Sequence, residues 1–142
     1  MMEEVAFFYK ANPDSDVQLP ERATGGSAGY DFYAPTSVTI SRGEKAIFDT
    51  GVKVKIKPGW ALWLIPRSGL GSKGLIITNT VGLIDSDFKG EIKAFLKNDN
   101  SAYPIRIEEG DRYMQGVFLP YGVVIDDEVE KERSGGIGST GI

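Results

Sequence analysis

The sequence predicts an all-β protein, a sandwich, jelly roll or barrel of about ten short strands. Three observations carry that reading. No stretch of the 142 residues holds apolar side chains at i, i+3, i+4 and i+7 long enough to make an amphipathic helix. Short runs, either alternating or wholly apolar, recur along the chain. Glycine and proline punctuate them, as at Lys57-Pro58-Gly59.

Taken in order, strands are expected over Val5–Tyr9, Tyr30–Tyr33, Val38–Ile40 and Ala46–Phe48. Val52-Lys53-Val54-Lys55-Ile56 alternates cleanly, which marks a half-buried strand with its lysines toward water. Trp60–Ile65 is continuously apolar and suits a strand covered on both faces. The odd spacing of Trp60 and Trp63 puts them on opposite faces, one toward the core and the other toward a subunit interface. At most one turn of helix fits after Pro66. Leu75–Thr78, Ile92–Leu96, Ile105–Ile107, Tyr113–Leu119 and Val123–Val129 complete the set. Residues 1–132 are long enough for one ordinary core, and 133–142 form a glycine-rich, flexible end.

Sixteen basic against 20 acidic side chains give a net charge of −4, the wrong sign for gripping a nucleic-acid backbone. No nucleic-acid partner is expected. An anionic small substrate would need local cations, for which Arg67, Lys73, Arg112 and Arg133 are candidates. No apolar run reaches the ~20 residues of a bilayer span, and Glu3 and Glu4 stand where a signal peptide would be basic. No membrane partner is therefore expected, and the expected compartment is the cytoplasm. The chain has no cysteine, which excludes disulfides and thiolate metal sites, and no histidine, so imidazole and thiolate catalysis are both excluded.

Two motif matches fail on context. Gly69-Leu70-Gly71-Ser72-Lys73-Gly74 fits the G-x-G-x-x-G pattern of dinucleotide-binding folds, but Leu75-Ile76-Ile77-Thr78 follows as a strand where a helix is required. Asp85-Ser86-Asp87 opens like a calcium loop with Gly90 in place, yet Lys89 and Leu96 occupy positions that demand acids.

The chemistry concentrates at Gly82-Leu83-Ile84-Asp85-Ser86-Asp87-Phe88-Lys89-Gly90-Glu91, where acids and an aromatic ring share one tight turn. With imidazole and thiolate absent, a carboxylate there is the natural general base. A polar hairpin tip would explain the same acids, and Gly82 suits either a plain turn or close approach of backbone to a ligand. Phe88, between Asp87 and Lys89, is expected to stay partly accessible.

Ala28-Gly29-Tyr30-Asp31, Pro66-Arg67-Ser68-Gly69, the Asp85 turn, Gly110-Asp111-Arg112-Tyr113-Met114-Gln115 and Arg133-Ser134-Gly135-Gly136-Ile137-Gly138-Ser139-Thr140-Gly141 follow one another along the chain. In order and spacing this resembles the five-motif signature of the trimeric dUTP pyrophosphatases (dUTPases), from about Leu19 onward. The resemblance implies a distorted jelly roll assembled as a homotrimer, with sites at subunit interfaces and Mg²⁺ held by the substrate triphosphate and water rather than by protein ligands. The implied reaction is hydrolysis of dUTP to dUMP and pyrophosphate. Asp85 would be the base, with Arg67, Ser68, Gly69, Gln115, Arg133, Ser139 and Thr140 on the phosphates. Asn79, Gly82, Ile84, Phe88 and Ile137 would hold uracil and deoxyribose, and Asp31 and Arg112 would support the site. Residues 133–142 become a lid, usually over a neighbouring subunit's site.

Two departures stand out. Phe88 replaces the usual tyrosine, keeping the ring and losing the phenol. Ile137 replaces the phenylalanine that covers uracil, one residue nearer Arg133 than is common, a spacing that resembles dUTPases of Gram-positive bacteria and their phages. Two other readings stay open on the sequence: a dCTP deaminase, which shares the fold, and a nucleotide-responsive regulator that binds a repressor protein, as some phage dUTPases do.

Overall fold

The computed structural model describes residues 2–99, 102–130 and 133. Twelve strands and one short helix follow in order: β1 (Ala6–Lys10), β2 (Glu21–Arg22), β3 (Tyr30–Tyr33), β4 (Val38–Ile40), β5 (Lys45–Asp49), β6 (Val52–Ile56), β7 (Trp60–Pro66), α1 (Ser68–Gly71), β8 (Leu75–Ile77), β9 (Gly82–Ile84), β10 (Lys93–Asn98), β11 (Ile105–Ile107) and β12 (Arg112–Pro120). The expected all-β jelly roll is the fold observed, and the turn of helix after Pro66 is present.

The largest sheet has the strand order β2-β3-β12-β7-β9. A second, β5-β10-β8, packs with the ribbons β1-β6 and β11-β4 around a common core. Every strand pair is antiparallel, and most neighbours are distant in sequence. The jelly roll is thus held by long-range ladders rather than by hairpins. Its core gathers Phe32, Ile40, Val52, Leu62, Leu75, Ile92, Leu96, Ile107, Tyr113 and Met114, all essentially inaccessible to solvent. Burying each large apolar side chain contributes about 1.5–3 kcal/mol.

β6 behaves as its alternation requires, with Val52, Val54 and Ile56 buried and Lys53 and Lys55 outward. β7 corrects the expectation of two covered faces. Trp60 packs against the core, but Trp63 is 40% exposed on the opposite face, beside Leu83 and Val117 in register. The segment Val123–Val129 corrects another, since it forms no strand. Alternation supplies a face but not a ladder partner, and Val123, Val124, Ile125 and Val129 stay exposed.

A register shift between Arg112 and Met114 in the β3–β12 ladder marks a bulge that breaks the in-out alternation. Tyr113 and Met114 are both buried as a result, and Gln115 emerges beside Asp31. The Tyr113 ring stacks edge-on against Phe48, 5.0 Å between centroids. Its hydroxyl is the one buried side-chain polar atom without a partner among the described residues, and burial pushes its pKa up.

Candidate active site

The sequence-predicted residues gather in two groups at different places along β7. The first surrounds the end of that strand. Asp31 on β3 is 5% exposed, and its carboxylate accepts a hydrogen bond from Arg67 Nε at 2.8 Å. Arg112 approaches the other carboxylate oxygen only to 4.0 Å. A buried carboxylate against a guanidinium fixes the direction of the fork. One of the five N–H donors of Arg67 is committed to Asp31, so the terminal nitrogens can serve another anion.

Arg67 is also the N-cap of α1, in extended conformation and without a side-chain cap. The helical hydrogen bonds begin with Gly71 N–H to Arg67 O at 2.8 Å, so the N–H groups of Ser68 and Gly69 lie outside the ladder. Gln115 completes this group. Its register partners are Asp31 and Ile65, and its Nε2 donates to Pro66 O at 3.2 Å, placing the amide at the entrance of the Arg67-Ser68-Gly69 loop. The cluster thus presents a guanidinium, a hydroxyl, an amide and backbone N–H groups, all donors and none acidic apart from the committed Asp31.

The second group lines a cavity of about 230 Å³ that includes Asn79, Gly82, Ile84, Asp85, Phe88 and Arg133. A tight turn precedes it: Val81 N–H donates to Asn79 O at 2.7 Å across Thr80, whose φ is +70°. That is a γ-turn on a β-branched residue, a strained arrangement costing on the order of 1–3 kcal/mol. It ends β8 abruptly and sets Asn79 at the rim of the cavity. Gly82 then packs against β7 so closely that a methyl group there would come within 3.0 Å of Leu64 Cβ. Its missing side chain brings the β9 backbone down onto the cavity wall.

Asp85 follows β9 and is about half exposed. Phe88 is buried, 7% exposed, rather than partly accessible as its flanking charges suggest. The reason is local: its ring folds back over Gly90, where a Cβ would lie 2.9 Å from Phe88 Cζ, and the Arg133 guanidinium sits 5.3 Å from the ring centroid. Arg133 also bonds Asp85 Oδ2 at 2.9 Å and Asp87 Oδ1 at 3.3 Å. It therefore stands with the carboxylates and the aromatic ring, not with the Arg67 group.

Register gives the separation of the two groups. Ile84 pairs with Leu62, so Asp85 leaves β9 beside Ala61, near the start of β7, whereas Arg67 follows Pro66 at its end. Six residues of strand at ~3.3 Å each put roughly 20 Å along β7 between Asp85 and Arg67. None of Asp31, Arg67, Ser68, Gly69, Arg112 and Gln115 lines the cavity.

Sequence reasoning missed Leu64, Ile77, Lys93, Ala94, Phe95 and Met114 on the cavity wall. They are ordinary core-strand residues by pattern, and only the approach of β8 and β10 to β7 brings them to the site. Lys93 is tied to Asp49 across the β10–β5 ladder, and that hydrogen bond holds its pKa above the usual lysine value. Ile137, Ser139 and Thr140 lie outside the described residues.

Residues 15–141 match the dUTPase family profile. The deoxyuridine 5'-triphosphate nucleotidohydrolase of Chromobacterium violaceum is 41% identical over 132 residues, covering 87% of each chain. Among solved structures, the dUTPase of Streptococcus mutans is 34% identical with a TM-score of 0.70, over 82% of this chain and 97% of that one. The dUTPase of Staphylococcus bacteriophage 80alpha, a phage enzyme described as controlling transfer of virulence genes, is 26% identical with a TM-score of 0.76, over 91% and 98%. Motif order, jelly-roll architecture and these likenesses agree: the chain belongs to the dUTPase family, enzymes that hydrolyse deoxyuridine triphosphate.

Proposed function

We propose that the protein converts dUTP to dUMP and pyrophosphate by attack of an Asp85-activated water on the α-phosphorus, at a site completed between subunits of a homotrimer. The observation that carries this reading is the division of the site residues. Asp85 lies roughly 20 Å along β7 from Arg67 by strand rise, too far for both to act on one phosphorus atom. A neighbouring copy that brings its Arg67 group to this cavity assembles base, cavity and phosphate donors in one place. Exposed Trp63, Leu83 and Leu119 on the large sheet, and Val123–Val129 without a ladder, are the surface such an assembly would cover.

Within that site the oxygen of water forms the new bond to the α-phosphorus while its proton passes to Asp85, and pyrophosphate departs with the electrons of the broken P–O bond. General-base assistance is worth about 10²–10⁴ in rate. Arg67, Ser68, Gly69 and Gln115 position the phosphates and stabilise their shifting charge, which supplies much of the remainder. Asn79 and the backbone from Asn79 to Ile84 read the uracil edge, and cytosine, with its donor and acceptor reversed, leaves buried groups unpaired. The Phe88 ring closes the space beside the deoxyribose against a 2′-hydroxyl.

Arg133 exchanges Asp85 and Asp87 for a phosphate oxygen as the 133–142 lid closes, with Ser139 and Thr140 on the phosphates and Ile137 toward uracil. No group of three ligating side chains occurs among the described residues. Mg²⁺ would be carried by the triphosphate and water, where it would offset phosphate charge. No described helix is long and apolar enough to cross a membrane. Membership of a nucleotide-hydrolysing family supports assigning the protein to the cytoplasm.

Pyrophosphate release in the presence of Mg²⁺ tests the reaction. Release from dUTP is expected, with dCTP, dTTP and UTP slower by about 10²-fold or more. Ammonia from dCTP would instead indicate a deaminase. The likeness to the phage 80alpha protein supports a regulatory reading beside the chemistry; dUTP binding without turnover, and a repressor protein competing for the nucleotide site, would make it the primary one.

A further inference from the structure

We propose that Gly29 is a positioning residue for Gln115: its missing side chain is the space in which the Gln115 amide is held against the phosphate loop. The inference rests on the reading of Gln115 as a phosphate contact. Gly29 immediately precedes β3, and its φ lies outside the left-handed region, so its backbone admits an alanine. Conformation does not require glycine at this position. Space does. A Cβ built on Gly29 would collide with Gln115 Oε1 and lie 3.1 Å from Gln115 Cδ and 3.3 Å from Gln115 Cβ. Its three nearest neighbours are all atoms of that one side chain. Gly25 and Gly26, a few residues upstream, face nothing within 4 Å.

The opposite side of the amide is fixed as well. Nε2 donates one hydrogen to Pro66 O at 3.2 Å, which turns Oε1 toward Gly29. The second Nε2 hydrogen is then available beside Arg67, the residue that follows Pro66. Gly29 and the Pro66 carbonyl act as the two jaws that orient this donor. The hardest collision of an added methyl group is with the far end of a flexible side chain, so the outcome of Gly29→Ala is a displaced amide in an intact fold. Alanine at 29 would swing Gln115 off the Pro66 carbonyl and remove its second hydrogen from the loop entrance.

A double-mutant cycle on dUTP hydrolysis by the full chain tests this. Gln115→Ala is expected to lower kcat/KM about tenfold or more, the loss of one hydrogen bond to a charged group. Gly29→Ala should match that loss with an unchanged melting temperature. Adding Gly29→Ala to Gln115→Ala should cost less than about twofold further, because the amide that the methyl group displaces is already gone. Equal losses from Gly29→Ala in both backgrounds would overturn the proposal, as would wild-type activity in Gly29→Ala when Gln115→Ala is impaired. If Gln115→Ala itself were fully active, the phosphate reading of Gln115 would fall and the positioning role with it. Absent turnover by the wild type would instead refute the proposed reaction.

Discussion

Asp85→Asn lowers dUTP turnover by about 10²–10⁴, the range that general-base assistance supplies, while dUTP still binds. Asparagine keeps the size of the side chain and one acceptor oxygen but cannot take a proton from water. The substitution also weakens the hold on Arg133, whose bond to Asp85 at 2.9 Å is the shorter of its two carboxylate contacts. Asp87 remains to retain it. Because Asp85 is about half exposed, the fold should not depend on its charge, and the melting temperature should stay within a few degrees of wild type. Single-turnover pyrophosphate release and calorimetric binding of dUTP separate these quantities. A loss of turnover below about threefold would remove Asp85 from the role of base.

Arg67→Ala is expected to produce two separable losses. Each charge-assisted hydrogen bond to phosphate is worth about 1.5–3 kcal/mol, so kcat/KM should fall by about 10–10²-fold for one bond and further for a fork. Stability should fall as well, by about 1–3 kcal/mol, because Asp31 is buried and the remaining cation, Arg112, stands 4.0 Å away. Asp31→Asn placed on top of Arg67→Ala should recover stability, since a neutral amide replaces the uncompensated carboxylate, without recovering activity. Arg67→Lys should preserve part of the stability and little of the activity, because a single ammonium cannot bond Asp31 and grip phosphate together. Thermal melts beside steady-state kinetics decide it. Arg67→Ala with wild-type kcat/KM would exclude Arg67 from the phosphate site.

The strands were readable wherever one face alone decides burial. Val52–Ile56 alternates because its inner side chains meet the core and its lysines meet water, and both conditions exist within one chain. Trp60–Ile65 and Val123–Val129 misled in a related way. Their apolar content reports burial without naming the partner, and among the described residues Trp63 and Ile125 have none to cover them. The two shortest elements of the large sheet, β2 and β9, escaped notice because two or three residues carry no period.

Motif residues were legible one by one, but their grouping was not. Linear order says nothing of which end of β7 a residue meets; the β7–β9 register decides that Asp85 sits away from Arg67. Nor could chain order pair Arg133 with Asp85 and Asp87. The burial of Phe88 depends on Gly90 and Arg133 together, one a neighbour in sequence and the other a contact made only by folding.

Mixed oligomers test the shared site most directly. Subunits carrying Asp85→Asn retain the phosphate group, and subunits carrying Arg67→Ala retain the base and its cavity. Unfolded together and refolded at equal concentrations, the two inactive variants should regain about a quarter of wild-type dUTP hydrolysis, the fraction of sites that draw each half from the intact subunit. Activity that stays at the level of the separate variants, in mixtures shown to contain both chains in one oligomer, would contradict a site built between subunits.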